Sequence, residues 1–145
     1  MTVPQTVLFI DDDQDDLDLL SEATGFIDAS IVRQTARNGL EAIRLLTQPG
    51  AILPDLIFLD INMPVMNGIE CLAELKKIDQ LLHIPIVICS TSLYLNNQQE
   101  YESLGADFYL VKPDTLIRTV NALQFVFERC QTKKIQAAPA KQLVA

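Results

Sequence analysis

The amino-acid sequence alternates between short apolar runs and amphipathic stretches from residue 6 to residue 129. The apolar runs have the length of β-strands, and the amphipathic stretches carry apolar side chains at helical spacing. Five strand–helix units in a row predict a parallel sheet with helices on both faces. The predicted strands are residues 6–10, 31–36, 56–60, 84–89 and 107–111, and the predicted helices are residues 15–24, 38–48, 67–79, 96–104 and 116–129.

The composition of the predicted strands indicates their order in the sheet. The strand at residues 56–60 is apolar at every position before its last, as expected of a central strand that is covered on both faces. The strand at residues 31–36 is more polar, which is typical of a sheet edge. With right-handed crossovers, these features predict an α/β fold: a doubly wound, five-stranded parallel sheet in the order 2-1-3-4-5.

Polar side chains stand where four of the predicted strands end. Asp11 and Asp12 follow the first strand, Asp60 ends the third, Ser90 follows the fourth and Lys112 follows the fifth. Because the carboxyl ends of parallel strands meet at one edge of a sheet, we expect these side chains to share one pocket. An acidic pocket with a lysine and a hydroxyl beside one candidate nucleophile indicates phosphoryl chemistry on Asp60.

Length and charge exclude several other classes of protein. The chain has 145 residues, which is enough for one domain with a single core. Its net charge of −8 argues against direct nucleic-acid binding, which needs a basic face. No apolar run approaches the roughly 20 residues that a membrane-spanning helix requires, and no signal peptide is visible. We therefore expect neither a nucleic-acid partner nor membrane insertion.

The three cysteines are Cys71, Cys89 and Cys130. They are odd in number and lack the spacing of metal ligands, and Cys89 lies inside an apolar run. We interpret them as small core residues rather than reactive thiols, which predicts a cytoplasmic protein in a reducing compartment.

Seven short motifs follow one another between residues 5 and 129. They are Val7-Leu-Phe-Ile-Asp-Asp12, Asp55-Leu-Ile-Phe-Leu-Asp60, Met63-Pro64, Gly68, Pro85-Ile-Val-Ile-Cys-Ser90, Gly105-Ala106 and Lys112-Pro113. In this order and spacing, the chain resembles a receiver domain of the response-regulator (CheY-like) family, of the stand-alone single-domain type. The resemblance implies the flavodoxin/CheY-like form of the sheet and a receiver domain at residues 1–130. Residues 132–145 are rich in Lys, Gln, Ala and Pro, so we expect residues 131–145 to be a flexible C-terminal tail.

The resemblance also implies a role for each residue of the expected pocket. Asp60 resembles the phosphoacceptor, and Lys112 and Ser90 resemble the residues that contact the phosphoryl group. Mg²⁺, which prefers hard oxygen ligands, would be held by Asp11, Asp12, Asp60 and the backbone carbonyl of Asn62. Ser90 and Tyr109 resemble the pair that changes conformation on phosphorylation, and in this family the bond corresponding to Lys112–Pro113 is often cis.

A signalling function follows from the resemblance. It implies a phosphohistidine donor, which would be a sensor or hybrid histidine kinase or a phosphotransfer protein. Since no output domain follows residue 129, we expect the signal to pass to a downstream protein. The contact face would combine the helix at residues 96–104, the strand at residues 107–111 and the helix at residues 116–129. The chain would be a switch that catalyses only its own phosphorylation and dephosphorylation.

Phe125 lies opposite the predicted apolar stripe that contains Leu116, at 100° per residue. An aromatic residue at that position is typical of a dimer or partner surface. Packing beneath the C-terminal tail is the alternative, and the sequence leaves both open.

The acidic run that begins at Asp11 allows other interpretations. A calcium loop would need glycine where Asp16 stands, and would follow a helix. A haloacid-dehalogenase-type phosphatase would use Asp11 as nucleophile and Asp13 as acid, but would leave Asp60 unexplained. A degenerate receiver that acts constitutively does not account for the intact set of pocket residues. We interpret four aspartates of the run as favourable charge at a helix N-terminus, namely Asp13, Asp15, Asp16 and Asp18.

Overall fold

The computed structural model describes residues 3–91, 103, 105–133 and 141–143. The strands are β1 (Thr6–Ile10), β2 (Val32–Ala36), β3 (Leu56–Asp60), β4 (Ile86–Ser90), β5 (Phe108–Val111) and β6 (Lys141–Leu143). The helices are α1 (Gln14–Ile27), α2 (Gly39–Thr47), α3 (Gly68–Leu75) and α4 (Leu116–Lys133), with a 3₁₀ turn at Asp79–Leu81. The predicted helix at residues 96–104 lies outside the described residues, apart from Ser103.

All the described strands pair in parallel, in the order β2-β1-β3-β4-β5-β6. The predicted order 2-1-3-4-5 is confirmed for the first five strands. The register places Ile10 beside Leu59, and Asp60 beside Cys89. The residues that follow β1, β3 and β4 therefore emerge at one edge of the sheet, between its central strands.

Two apolar layers, one on each face of the sheet, account for the continuous apolar runs. Leu8 and Ile57 belong to the layer that also contains side chains of α2 and α3. Phe9 and Phe58 belong to the other layer, with side chains of α1 and α4, and their ring centroids lie 5.3 Å apart. Burial of such a side chain stabilises the fold by about 1.5–3 kcal/mol. The strands that carry the polar pocket are therefore held from both sides.

Side-chain caps fix where the helices around the pocket begin. The Asp13 side chain accepts hydrogen bonds from the backbone N–H groups of Asp15 and Asp16 at the start of α1. Asn67 and Glu70 form a reciprocal capping box at the start of α3. Because both helices begin a few residues after a pocket strand, the caps limit how far the intervening backbone can move.

The C-terminal region contains structure that the sequence does not predict. Helix α4 continues beyond residue 129 to Lys133, and β6 pairs with β5 so that Phe108 stands beside Lys141. Three residues are too few to show an alternating pattern, which is why β6 has no signal in the sequence. The flexibility assigned to residues 131–145 stays a prediction. Within the described part of the chain, no helix has the length and apolar character needed to cross a membrane.

Candidate functional site

The carboxyl edge of the sheet brings together the charged residues that the sequence places at strand ends. Lys112, which follows β5, lies with its Nζ 2.7 Å from Asp11 Oδ2 and 3.2 Å from Asp60 Oδ1. Asp11 and Asp60 are both buried, at 3% and 5% exposure. The pocket is thus a shielded set of opposite charges at the junction of β1 and β3, where open α/β sheets bind ligands.

Three carboxylates of the pocket are arranged as cation ligands. One oxygen from each of Asp11, Asp12 and Asp60 lies within 4.8 Å of the others. Burial, and then the neighbouring Asp11 carboxylate, raise the pKa of Asp60 to about 6, although Lys112 opposes this shift. Burial also raises the pKa of Asp11. A divalent cation would favour the ionised form of these groups, and their oxygen donors fit Mg²⁺.

Lys112 is the positive charge of the pocket and stays ionised there. Burial alone would lower the pKa of Lys112, but hydrogen bonds to Asp11 and Asp16, and the negative charges of Asp11 and Asp60, raise it. The Asp16 carboxylate is 2.9 Å from Nζ, a contact that the sequence analysis missed because it assigned Asp16 to the helix N-terminus. No local sequence signal indicates this contact, because Asp16 and Lys112 are 96 positions apart in the chain.

Glycine at position 68 allows α3 to begin against the backbone of the candidate acceptor. The Gly68 N–H donates to the Ile61 carbonyl at 2.8 Å. A Cβ on Gly68 would meet the Asp60 carbonyl oxygen and lie 2.7 Å from the Ile61 Cα. The backbone on either side of the Asp60–Ile61 peptide bond is therefore held by a contact that only glycine permits.

The turn between β3 and α3 contains a second constraint. Val65 has a φ of 68°, in the left-handed region, and is 77% exposed. The Met66 N–H donates to the Pro64 carbonyl at 2.7 Å, so this hydrogen bond closes a tight turn around Val65. A β-branched residue in this conformation is strained, which is common beside functional sites.

Ser90 and Asn62 lie at the sequence positions expected, at the ends of their strands. Ser90 is buried at the end of β4, and its carbonyl accepts the Lys112 N–H at 2.7 Å. Asn62 is exposed in the turn two residues after Asp60. The Lys112–Pro113 peptide bond is trans in the structure, in contrast to the cis form that the family resemblance suggests.

Tyr109 and Phe125 have different surroundings. The surroundings do not test the switch role expected of Tyr109 or the interface role expected of Phe125. Tyr109 is buried, at 3% exposure, in the layer that faces α2 and α3. Phe125 is half-buried against the opposite layer, and the Arg129 guanidinium carbon lies 4.6 Å from its ring centroid. The side chain opposite the predicted stripe therefore has partners within its own chain.

The cysteines match their interpretation as core residues. Cys71, Cys89 and Cys130 are all buried. Burial raises the pKa of the Cys71 thiol to about 12, and it also raises the pKa of Cys89. Thiolate chemistry is therefore suppressed even at Cys89, which lines the same pocket as Asp60 and Lys112.

The fold and the pocket define a class of protein: an open parallel α/β domain with carboxylates and a lysine at the switch point of its sheet. The family described as "Response regulator receiver domain" matches residues 7–124. The chain belongs to this family, and it is a receiver domain of two-component signalling. Such domains are signalling switches that interact with histidine kinases and downstream targets.

Relatives resemble the chain over most of its length. It is 30% identical over 125 residues to the polar-differentiation response regulator DivK of Brucella anthropi, covering 84% of this chain and 95% of DivK. It also matches PrrA transcriptional regulators of Mycobacterium tuberculosis, of which it spans only 50%.

Solved structures show the same fold. The crystal structure of the phosphorylated cyanobacterial phytochrome response regulator RcpA has a TM-score of 0.80 and 29% identity, covering 93% of this chain and 97% of RcpA. The Mn²⁺-bound form of response regulator Rcp1 has a TM-score of 0.72 and 29% identity, covering 86% of this chain and 96% of Rcp1.

Proposed function

We propose that Asp60 accepts a phosphoryl group from a phosphohistidine in a Mg²⁺-dependent reaction, and that phosphorylation changes which proteins bind this receiver domain. The observation that carries the proposal is the position of Asp60. Its buried carboxylate lies 3.2 Å from Lys112 and within 4.8 Å of both Asp11 and Asp12. An acceptor needs these two features, a nearby positive charge and a site for a cation.

The transfer makes and breaks one bond. An oxygen of the ionised Asp60 carboxylate attacks phosphorus as the P–N bond to the donor histidine breaks, and the bond electrons leave with the imidazole. The product is an acyl phosphate on Asp60. Lys112 remains charged and stabilises the negative oxygens of the transferring group.

The acidic residues around Asp60 prepare the pocket for this charge. Asp11, Asp12 and Asp60 would hold Mg²⁺, with the Asn62 carbonyl as the further ligand expected from the family resemblance. The bound ion would supply positive charge that offsets both the three carboxylates and the phosphoryl oxygens. The Mn²⁺-bound form of Rcp1 supports cation binding in a related receiver.

Ser90 and Tyr109 are the residues proposed to convert phosphorylation into a change of surface. Ser90 is at the end of β4, next to the strand that carries the acceptor. Its hydroxyl would move toward the phosphoryl group, and the Tyr109 ring would turn into the space released. Tyr109 is already buried in this structure, so the proposed turn would change its position within the domain, and the proposed signal is a shift between two conformations of one fold.

Partners are proposed by class. The donor would be a sensor or hybrid histidine kinase or a phosphotransfer protein. The downstream protein would bind the face that includes β5 and α4, together with residues 96–104, of which the structure describes only Ser103. Phe125 on α4 is the residue proposed for a homodimer or partner contact. The phosphorylated state of RcpA, a protein of 29% identity, supports a phosphorylation-driven switch.

A phosphate-retarding gel tests the proposed acceptor. Wild-type protein incubated with acetyl phosphate and Mg²⁺ should give a retarded band, which is lost on omission of Mg²⁺. Asp60→Asn should give no retarded band, whereas Asp79→Asn, at an exposed position in the 3₁₀ turn, should behave as wild type. A retarded band that persists in Asp60→Asn would exclude Asp60 as the acceptor.

A further inference from the structure

Asp16 supplies Lys112 with a third carboxylate partner that the proposed reaction does not use. The distance of 2.9 Å between Asp16 Oδ2 and Lys112 Nζ is shorter than the 3.2 Å between Nζ and Asp60 Oδ1. The two residues are 96 positions apart in the chain. The contact therefore results from the tertiary fold and not from the local crowding of the acidic run.

The start of α1 determines which aspartate of the run reaches the lysine. Asp13 caps the helix, and Asp15 and Asp16 both lie in its first turn, about 100° apart around the helix axis. Asp15 is exposed, whereas Asp16 is directed toward the pocket and has 36% side-chain exposure. Lys112 is 15% exposed. A carboxylate at the rim of the pocket thus contacts an ammonium inside it.

We propose that Asp16 is a positioning residue that holds the Lys112 ammonium on the α1 side of the pocket and keeps Asp11 and Asp60 available to a cation. This inference rests on the proposed function, because it assigns Asp16 a part in preparing Asp60 for cation-dependent phosphorylation. Lys112 and a divalent cation share Asp11 and Asp60 as partners, and they repel each other. A third carboxylate gives the ammonium a site that the cation does not occupy.

The loss of Asp16 has a defined consequence for cation binding. In Asp16→Asn the ammonium would have only Asp11 and Asp60 as charged partners, so it would compete more strongly with the cation for both carboxylates. We expect the Kd for Mg²⁺, measured by isothermal titration calorimetry, to rise about fivefold, the upper range for a partly exposed ion pair. Asp16→Glu, which restores the charge, should lie within about twofold of wild type.

Two comparisons separate positioning from a general effect of charge. Asp15→Asn removes the same charge one residue away in the same helical turn, and it should change the Mg²⁺ affinity less than about twofold. In a Lys112→Gln background, Asp16→Asn should have no larger effect than Asp15→Asn, because there is no ammonium to hold. Equal effects of Asp16→Asn and Asp15→Asn would overturn the proposal, as would an undiminished Asp16→Asn effect without Lys112.

The same proteins distinguish a failure of this inference from a failure of the proposed function. If wild type gains a phosphoryl group and Asp60→Asn does not, Asp60 is the acceptor whatever the Asp16 results. Phosphorylation of Asp16→Asn with acetyl phosphate at a Mg²⁺ concentration below the wild-type Kd should be slower than that of wild type. Saturating Mg²⁺ should remove most of the difference, and a rate that Mg²⁺ does not restore would contradict the positioning role.

Discussion

At the scale of single residues, the pocket buries the charged groups of Asp11, Asp60 and Lys112, each of which would oppose folding if it had no charged partner. The Asp60 carboxylate is buried beside that of Asp11, and its pKa is raised to about 6 as a result. Lys112 offsets part of this cost through its contacts with Asp11, Asp16 and Asp60. Without a cation, ionisation of Asp60 therefore opposes folding, and this cost arises where a cation and a phosphoryl group would bind.

Asp60→Asn should stabilise the cation-depleted protein at neutral and alkaline pH. The folded-state pKa of Asp60 is about 6, above the usual 3.8, so ionisation of Asp60 opposes folding. This cost is absent when the carboxyl is protonated in both states and is fully present above about pH 6. Removing it should increase the free energy of unfolding by about 1–3 kcal/mol at about pH 8 and by little at about pH 4.

Urea unfolding in the presence of a chelator measures this effect. Asp79→Asn serves as the control, because it removes an exposed charge outside the pocket. Added Mg²⁺ should stabilise wild type more than Asp60→Asn and so narrow the gap between them. A gain in stability that is equal at both pH values would show that the buried charge is not its cause.

At the scale of elements, the junction between β3 and α3 sets the position of Asp60, the proposed acceptor. Helix α3 begins against the backbone of Asp60 and Ile61, where Gly68 leaves no room for a side chain. The capping box of Asn67 and Glu70 fixes the first turn of the helix, and Val65 holds a left-handed conformation in between. The chain therefore uses tight packing and local strain to keep the acceptor turn in one conformation.

Gly68→Ala should destabilise the protein by about 1–3 kcal/mol, the usual range for overpacking a tight contact. The added methyl would press on the Asp60 and Ile61 backbone, which has no flexible end to move aside. Urea unfolding measures the change, and the phosphorylation rate should fall as the Asp60 backbone shifts.

Gly25→Ala is a matched control for this substitution. Its new methyl would meet only the tip of the Arg33 side chain, which can rotate away. Because Gly25 lies within α1, alanine there should stabilise the helix by up to about 1 kcal/mol. Equal behaviour of the two variants would show that the approach of α3 to Asp60 is not tight in solution.

At the scale of the whole molecule, the sheet separates the acceptor from the surface proposed for output. Asp60 stands at the end of a central strand, whereas β5 lies two strands away, toward the side of the sheet that ends in β6. Ser90 is on β4, the strand between that of Asp60 and β5, and Tyr109 is on β5 itself. The proposed phosphorylation of Asp60 would therefore act on the β5 surface through adjacent strands, without a change of fold.

Phe125→Glu tests whether α4 forms an interface. We expect the substitution to weaken association of the phosphorylated protein with a second copy or with its kinase partner, as measured by sedimentation velocity and a binding assay. Ile117→Glu, at a 74% exposed position of the same helix, controls for a new negative charge on α4. If neither measurement changes, the role of Phe125 is its packing against the core and Arg129.

The sequence contains enough information to predict the first five strands, their order and the main charges of the pocket. This is because strand periodicity and the polar residues at strand ends are local signals. The strand order follows from which strands are apolar enough to be covered on both faces, and from the right-handed crossovers between parallel strands. The contact between Asp16 and Lys112 joins residues 96 positions apart, so it requires the orientation of α1 against β5. Strand β6 has only three residues, and its pairing depends on the open edge of β5.

Mapping the modified residue tests the central claim of this account most directly. Protein treated with acetyl phosphate and Mg²⁺ is reduced with borohydride, which converts an acyl phosphate on aspartate to homoserine, and its peptides are sequenced by mass spectrometry. We predict homoserine at position 60, and none in a sample prepared without Mg²⁺. Homoserine at position 11 with an unmodified Asp60 would contradict the account and favour a phosphatase-type nucleophile at Asp11.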